Sequence, residues 1–517
     1  MITNILNISF LLFSLLSFEQ NNIKKVDSLS SENSSFLVTL NEEESSKLLN
    51  YSKEDFFGIQ VEEINELTID ITNSIKDKKI SKSNFKRIFD ISVNENSTNV
   101  SALLKNEKIN SVSINSNVKV LGFNDESVAK SNYSYNYVEN YDVYQDIEIY
   151  DSWEIEDGKS STLVGVLDSG ILGLNPFLVN NISDLSRDFS QEYSDDNYND
   201  SYENALEDTD GHGTKVAGII AANPCNGYYF EGVSPDVSLV SLKVGINGGV
   251  NSNTQINSIV RAISYAESID IDVINMSITV FDNFISDPES EFGYINCMEV
   301  LKTAIENYSG IIVCASGNDY LNIDLENNYV YPACLNLDNV ITVGAVDSNG
   351  NIWTEPAPIN PFAFNPEITP ENQIGSNYGE ISVDLFAPGQ NLITTSLESP
   401  YIQTLNCTAT SFATPLVTGT VALLISHFPN LSNLQIKNLL LNNVEQKNAL
   451  SNYCVSNGIL NVYNIFDSQI TYSWKNLSSH VRICSCGETL VQPHVVSSGS
   501  TCDLCNGNAS SGFIPIP

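Results

Sequence analysis

An α/β fold with a mostly parallel central sheet is what this chain predicts, and three observations predict it. Apolar, branched runs of strand length recur at Leu163–Leu167, Ser238–Val244, Val273–Met276, Gly310–Ala315 and Val340–Val346. Such near-continuous apolar runs mark strands covered on both faces, the situation of parallel strands. Stretches of helical pattern lie between them, around 213–222, 254–269, 298–308 and 414–427. Repeated strand–helix alternation is the pattern of crossover units on a parallel sheet. Apolar residues also make up 42% of the 517 positions, ample for a large core and for more than one domain.

The N-terminal part is organised differently. Ile8 to Phe18 is an apolar run followed at once by Glu19-Gln-Asn-Asn. It is shorter than the roughly 20 residues a spanning helix needs and suits the core of a signal peptide over residues 1–19, hence an exported, secreted or cell-surface protein. No other segment suits a membrane span. Residues 22–121 read as a small α+β unit: Phe36–Leu40 is strand-like, Val100–Lys108 is helical in pattern, and Val112–Val120 alternates as a half-buried strand does. Residues 122–145 show no period and read as a linker, 146–470 hold the α/β domain, and 471–517 form a Cys-rich tail.

Charge narrows the partners. Against 24 Lys and Arg stand 63 Asp and Glu, a net charge of −39. Nucleic acid and anionic membrane surfaces both need positive charge, so neither is a partner. The N-terminal unit is the more basic part, with Lys76, Lys78, Lys79, Lys82 and Lys86 close together.

Three short motifs carry chemistry. Asp168 ends the apolar run in Val164-Gly-Val-Leu-Asp-Ser-Gly170, His212 sits in Asp210-Gly-His-Gly-Thr214 at the start of a helical stretch, and Ser411 lies in Thr408-Ala-Thr-Ser-Phe-Ala-Thr-Pro415 just ahead of another. A serine hydroxyl is a poor nucleophile until an imidazole takes its proton, and the imidazole needs a carboxylate to fix its tautomer. The order Asp, His, Ser is one known arrangement of those three parts. A helix-capping role for Ser411 alone leaves the other two motifs unexplained.

Further blocks follow in one order: Val313-Cys-Ala-Ser-Gly-Asn318, Tyr331-Pro-Ala333, Val340–Asp347, Leu385-Phe-Ala-Pro-Gly389 and Gly458–Val462. Over residues 146–466 the chain resembles the subtilisin-like serine proteases. That resemblance implies a three-layer subtilisin-like fold and a secreted serine endopeptidase made as a zymogen, acting on protein or peptide substrates with no cofactor required for the chemistry. Asp168, His212 and Ser411 would form the triad, with Asn318 in the oxyanion hole. Ser277, Thr279, Ala315, Ser316 and Gly317 would line the substrate. Residues 22–121 would be the inhibitory propeptide, a partner of its own catalytic domain, and its basicity suits a very acidic protease. The alternative is a catalytically silent relative that binds peptides or acts as a surface interaction protein.

Four positions depart from the family pattern. Ala409 stands where glycine is usual two residues before the serine, and its methyl group would crowd the oxyanion side if the backbone needed φ > 0. Phe412 replaces a common methionine, which removes an oxidation liability. Thr279 replaces a glycine bordering the primary specificity pocket, which disfavours bulky P1 side chains. Lys215 stands where a second histidine is common and is expected to face solvent.

Metal and cysteine readings remain open at this level. The loop Gln191–Asp200 with Glu203, Glu207 and Asp208 concentrates oxygen ligands of the kind calcium takes, although its spacing fits no EF-hand and acidic loops are commonly just solvated. Cys225, Cys297, Cys314, Cys334, Cys407 and Cys454 are scattered, and some could pair in an exported protein. Cys484, Cys486, Cys502 and Cys505 in the tail, with His480 and His494 nearby, suit either tetrahedral zinc or two disulfides. Asn-x-Ser/Thr sequons such as Asn181 and Asn307 are numerous in a chain so rich in Asn and Ser.

Overall fold

A computed structural model describes residues 34–52, 56–59, 61–76, 85–93, 102–103, 105–114, 117–119, 141–190, 202–225, 230–245, 253–281, 297–326, 328–356, 373–397, 403–468, 470–476, 479–484 and 489–493. The expected signal peptide lies outside them, as do most of the expected linker, the loop 191–200 and residues 100, 101 and 104 of the helical stretch at 100–108.

The N-terminal unit is a four-stranded antiparallel sheet made of β1 (Ser34–Leu40), β2 (Glu63–Glu66), β3 (Ile88–Val93) and β4 (Ile109–Ile114), in the order β2-β3-β1-β4, with helix α1 (Ile69–Lys76). Alternation along β1 explains its two faces. Phe36, Val38 and Leu40 join a small core with Phe89 and Ile91, while Leu37 and Ile88 belong to a core shared with the large domain. The single alternating run expected at 112–120 is split. Its first part pairs with β1, and Asn117–Lys119 pairs antiparallel with Asn253–Gln255 of the large domain. Alternation marks a half-buried strand but carries no information about its partner. A helix at Tyr141–Asp146 occupies the end of the stretch read as linker.

Nine strands build the central sheet: β5 (Leu163–Asp168), β6 (Arg187–Asp188), β7 (Ser238–Lys243), β8 (Val273–Met276), β9 (Ile311–Ala315), β10 (Val340–Val346), β11 (Leu385–Pro388), β12 (Glu445–Gln446) and β13 (Gly458–Ile459). Their order is β12-β13-β11-β10-β9-β8-β5-β7-β6, parallel throughout except for the β12–β13 pair. Side chains alternate between two cores. Val164, Val166, Val273, Ile311 and Val313 pack with helices α2 (His212–Ala221) and α5 (Thr410–His427), whereas Leu167, Ile274, Ile312 and Cys314 pack with α3 (Ile256–Ser268) and α4 (Cys297–Glu306). This is the α/β fold with a mostly parallel sheet that the alternation predicts, in the three layers the resemblance implies.

Helix α5 begins earlier than expected. Ser411 lies inside its first turn, not ahead of it, because Pro415 is an interior residue of the helix and not its first. Proline has no N–H for the carbonyl four residues back, which is that of Ser411. The hydroxyl of Ser277 donates to that carbonyl at 2.8 Å instead. The break was readable in the sequence; its repair from a distant segment was not.

Cys225, Cys314, Cys334 and Cys454 are free thiols, so no disulfide staples this domain through them. Asn181 and Asn307 are buried with their amides hydrogen-bonded to protein carbonyls, which makes them unsuitable as glycan acceptors. The tail contributes a three-stranded antiparallel sheet at Ile470–Asn476, Ser479–Cys484 and Thr489–Pro493. The Cys484 side chain and residues Cys486, Cys502 and Cys505 fall outside the described residues. Within those residues, no helix is long and apolar enough to cross a membrane.

Candidate active site

Strand ends and helix starts converge on one place. β5 ends on Asp168, α2 starts on His212, Ser411 is the second residue of α5, and Asn318 follows shortly after the end of β9. Gly211 precedes His212 with φ of 87°, a left-handed conformation that glycine adopts without strain. A Cβ on Gly213 would stand 2.1 Å from the Gly170 carbonyl oxygen, so the helix start touches the chain leaving β5 backbone to backbone. That close approach sets the imidazole on the carboxylate. His212 Nδ1 lies 2.8 Å from Oδ1 and 3.0 Å from Oδ2 of Asp168.

Both groups are buried, and His212 Nε2 is buried with no hydrogen-bond partner. With Nδ1–H given to Asp168, Nε2 presents a lone pair able to accept a proton. Burial opposes the imidazolium, but the charge and hydrogen bond of Asp168, helped by Asp210, outweigh it and hold His212 above its ordinary value. The Phe412 ring, 5.6 Å from the imidazole centroid to centroid, covers part of it. Lys215 is half-buried instead of fully facing solvent.

Asp208, read from the sequence as a possible calcium ligand, does something else. Gly211 gives α2 no side-chain cap, and Asp208 replaces one. Its Oδ1 accepts from the N–H groups of Gly211 at 2.8 Å and Asp210 at 3.2 Å and from the Ser169 hydroxyl at 3.0 Å. Its Oδ2 accepts from the Thr214 N–H at 2.9 Å and hydroxyl at 2.6 Å. The Ser169 hydroxyl in turn accepts from the Gly213 N–H at 3.0 Å. The first turn of the histidine helix is thereby tied to the residue beside Asp168. Burial pushes the Asp208 carboxyl up despite these donors, and the neighbouring Asp168 charge adds to the shift. Among the described residues no group of three or more His, Cys, Asp or Glu could hold a metal ion.

Ser411 is buried, and its hydroxyl donates to the Ser277 carbonyl at 3.2 Å. Together with the bond that repairs Pro415, Ser277 and Ser411 exchange two hydrogen bonds. Asn275 Nδ2 donates to the Ser277 hydroxyl at 2.9 Å, and Asn275 Oδ1 accepts from Thr418 at 2.8 Å. Asn275 and Thr418 belong to this chain of bonds and were not identified from the sequence, since only the fold brings them together. Ala409 has φ of 176°, ordinary extended backbone, so its methyl group introduces no backbone strain.

Asn318 Oδ1 accepts from the N–H of Thr410 at 2.9 Å and from its hydroxyl at 2.8 Å. The carbonyl end of the amide is thus fixed beside Ser411, which leaves Nδ2 as its donor end. Ala315, Ser316 and Gly317 lead into Asn318, and Gly317 has φ of 101°. Thr279 lies two residues beyond Ser277 and is buried, and its hydroxyl has no hydrogen-bond partner.

Comparison with known proteins shows the family of the chain. The major intracellular serine protease of Bacillus subtilis (strain 168) is 34% identical over 223 residues, spanning 43% of this chain and 57% of that one. Subtilisin DY of Bacillus licheniformis is 30% identical over 257 residues, spanning 49% and 77%. The chain thus matches just over half the length of the first relative. A mutant form of the epidermin leader peptide processing serine protease of Staphylococcus aureus shares the fold, with a TM-score of 0.56 at 21% identity over 84% of this chain and 99% of that one. Residues 159–459, more than half of the sequence, match the subtilase family, and the chain belongs to that family.

Proposed function

We propose that this chain is a serine endopeptidase made as a secreted zymogen. The observation that carries the reading is the buried Asp168–His212 pair, whose Nε2 has no partner of its own. In the reaction, Ser411 Oγ exchanges its contact with the Ser277 carbonyl for His212 Nε2 and attacks the scissile carbonyl carbon while Nε2 takes its proton. Asp168 stabilises the imidazolium. The carbonyl π pair moves onto oxygen, and Asn318 Nδ2 and the Ser411 N–H receive that charge; losing one such donor costs about 10²–10³ in turnover. Collapse expels the amine, which takes the proton from Nε2, and water then hydrolyses the acyl-enzyme by the same route.

The N-terminal unit is assigned the role of propeptide. It shares a core with the large domain through Leu37, Leu67 and Ile88. Asn257 Nδ2 donates to Asp90 at 3.0 Å, and the Asn307 amide bonds both the N–H and the carbonyl of Lys86. The test is N-terminal sequencing of purified wild type and Ser411→Ala. Wild type is expected to be cut between residues 121 and 146, with Ser411→Ala left uncut. Normal maturation of Ser411→Ala in isolation refutes self-processing.

A further inference from the structure

Asn377 belongs to no motif and touches neither Asp168, His212 nor Ser411, yet it is completely buried against the loop that carries Asn318. Its Nδ2 donates to the Ser316 carbonyl at 2.9 Å. Its Oδ1 accepts from the Asp319 N–H at 3.1 Å and the Leu321 N–H at 2.9 Å. One carboxamide therefore grips the chain on both sides of Asn318. Its backbone reinforces the grip: the Asn377 N–H donates to the Gly317 carbonyl at 2.8 Å, and the Ser316 hydroxyl donates to the Asn377 carbonyl at 3.1 Å. The fit leaves no slack, because a Cβ on Gly317 would lie 2.4 Å from Asn377 Nδ2. Glycine at 317 thus serves both its left-handed backbone and the close approach of this amide.

A loop held only by its ends would let the Asn318 amide swing. Here one end of that amide is fixed by Thr410, and the backbone beneath it by Asn377. We propose that Asn377 is a positioning residue for the oxyanion donor, acting through Asn318 and not on the substrate itself. The proposal rests on Asn318 being that donor. A displacement of about 1 Å at a reacting group can reduce turnover by up to about 10²-fold, so the effect should fall on kcat.

A double-mutant cycle tests it, with kcat and KM on a peptide substrate for wild type, Asn377→Ala, Asn318→Ala and the double variant. Rates are referred to active sites titrated with an irreversible serine reagent, so that misfolded protein does not enter. Asn377→Ala is expected to lower kcat by about 10- to 100-fold with KM within about twofold. In the Asn318→Ala background the same change is expected to cost less than about twofold, because the group it positions is gone. Asn377→Ser, smaller and still polar, runs through the same cycle and decides the matter if the alanine variant does not fold. An equal loss of kcat in both backgrounds, or a loss confined to KM, overturns the positioning role while leaving Asn318 in place. An unchanged kcat in Asn318→Ala overturns the underlying reading of Asn318 instead.

Discussion

The hydroxyl of Ser277 is buried between the Ser411 carbonyl and the Asn275 amide, and removing it alone should be expensive. Ser277→Ala deletes the donor to the Ser411 carbonyl, which Pro415 leaves without an in-helix partner, and deletes the acceptor for Asn275 Nδ2. Both stranded groups are buried. An unsatisfied buried donor or acceptor costs about 1–3 kcal/mol, so two of them should cost roughly 2–4 kcal/mol after local relaxation. The experiment is best done on Ser411→Ala protein, where self-digestion cannot distort unfolding. The Ser411 carbonyl and its bond from Ser277 are still present there, and the bond from Ser411 Oγ is absent from both proteins compared. Urea unfolding followed by fluorescence should show a lower midpoint with an unchanged slope. A loss under about 0.5 kcal/mol, the range of ordinary surface changes, would mean that the Ser277 hydroxyl is not the repair of the Pro415 break.

Three further substitutions test burial and pocket shape. Lys437 Nζ pairs with Asp384 at 3.0 Å and donates to the Val340 carbonyl at 2.6 Å, so Lys437→Met should destabilise by about 3–5 kcal/mol, the cost of an uncompensated buried charge. Burial already raises the Asp384 carboxyl and Lys437 pulls it back. Without Lys437 the folded form binds this proton more tightly than the unfolded chain, so the deficit should shrink as pH falls; a deficit independent of pH counts against the assignment. Thr279→Val removes a hydroxyl that has no partner and should leave stability within about 1 kcal/mol of wild type by thermal unfolding. Thr279→Gly should extend cleavage in a peptide library toward aromatic P1 residues, by about 1–3 kcal/mol in kcat/KM; a wild type that already prefers aromatic P1 rejects Thr279 as the pocket border.

What the sequence revealed and what it concealed follow from the range of the interactions involved. Asp168, His212 and Ser411 each stand in a short motif whose residue types the chemistry demands, and the central strands are buried on both faces, so periodicity located the strand that ends on Asp168. Asn275, Thr418 and Asn377 act through bonds that join segments far apart in the chain, such as Asn377 to Ser316 and Ser277 to Ser411. No local pattern encodes such a bond. Asp208 is a different case: it counts as one oxygen ligand of an acidic loop in the sequence, and in the fold its oxygens accept from N–H and hydroxyl donors that cap the histidine helix. In the N-terminal unit β1 and the first part of the 112–120 run are strands where the pattern puts them; the split of 112–120 depends on a partner strand in the other domain.

The central claim is that His212, held by Asp168, activates Ser411. The direct measurement is the rate of covalent labelling by a fluorophosphonate as a function of pH, with the modified residue mapped by mass spectrometry. Labelling should map to Ser411 and vanish in His212→Ala. Because Asp168 and Asp210 outweigh burial and raise the imidazole, the rate should climb with pH through a midpoint above about 6.5, the ordinary histidine value. Labelling elsewhere, or at Ser411 at an undiminished rate in His212→Ala, would contradict the account.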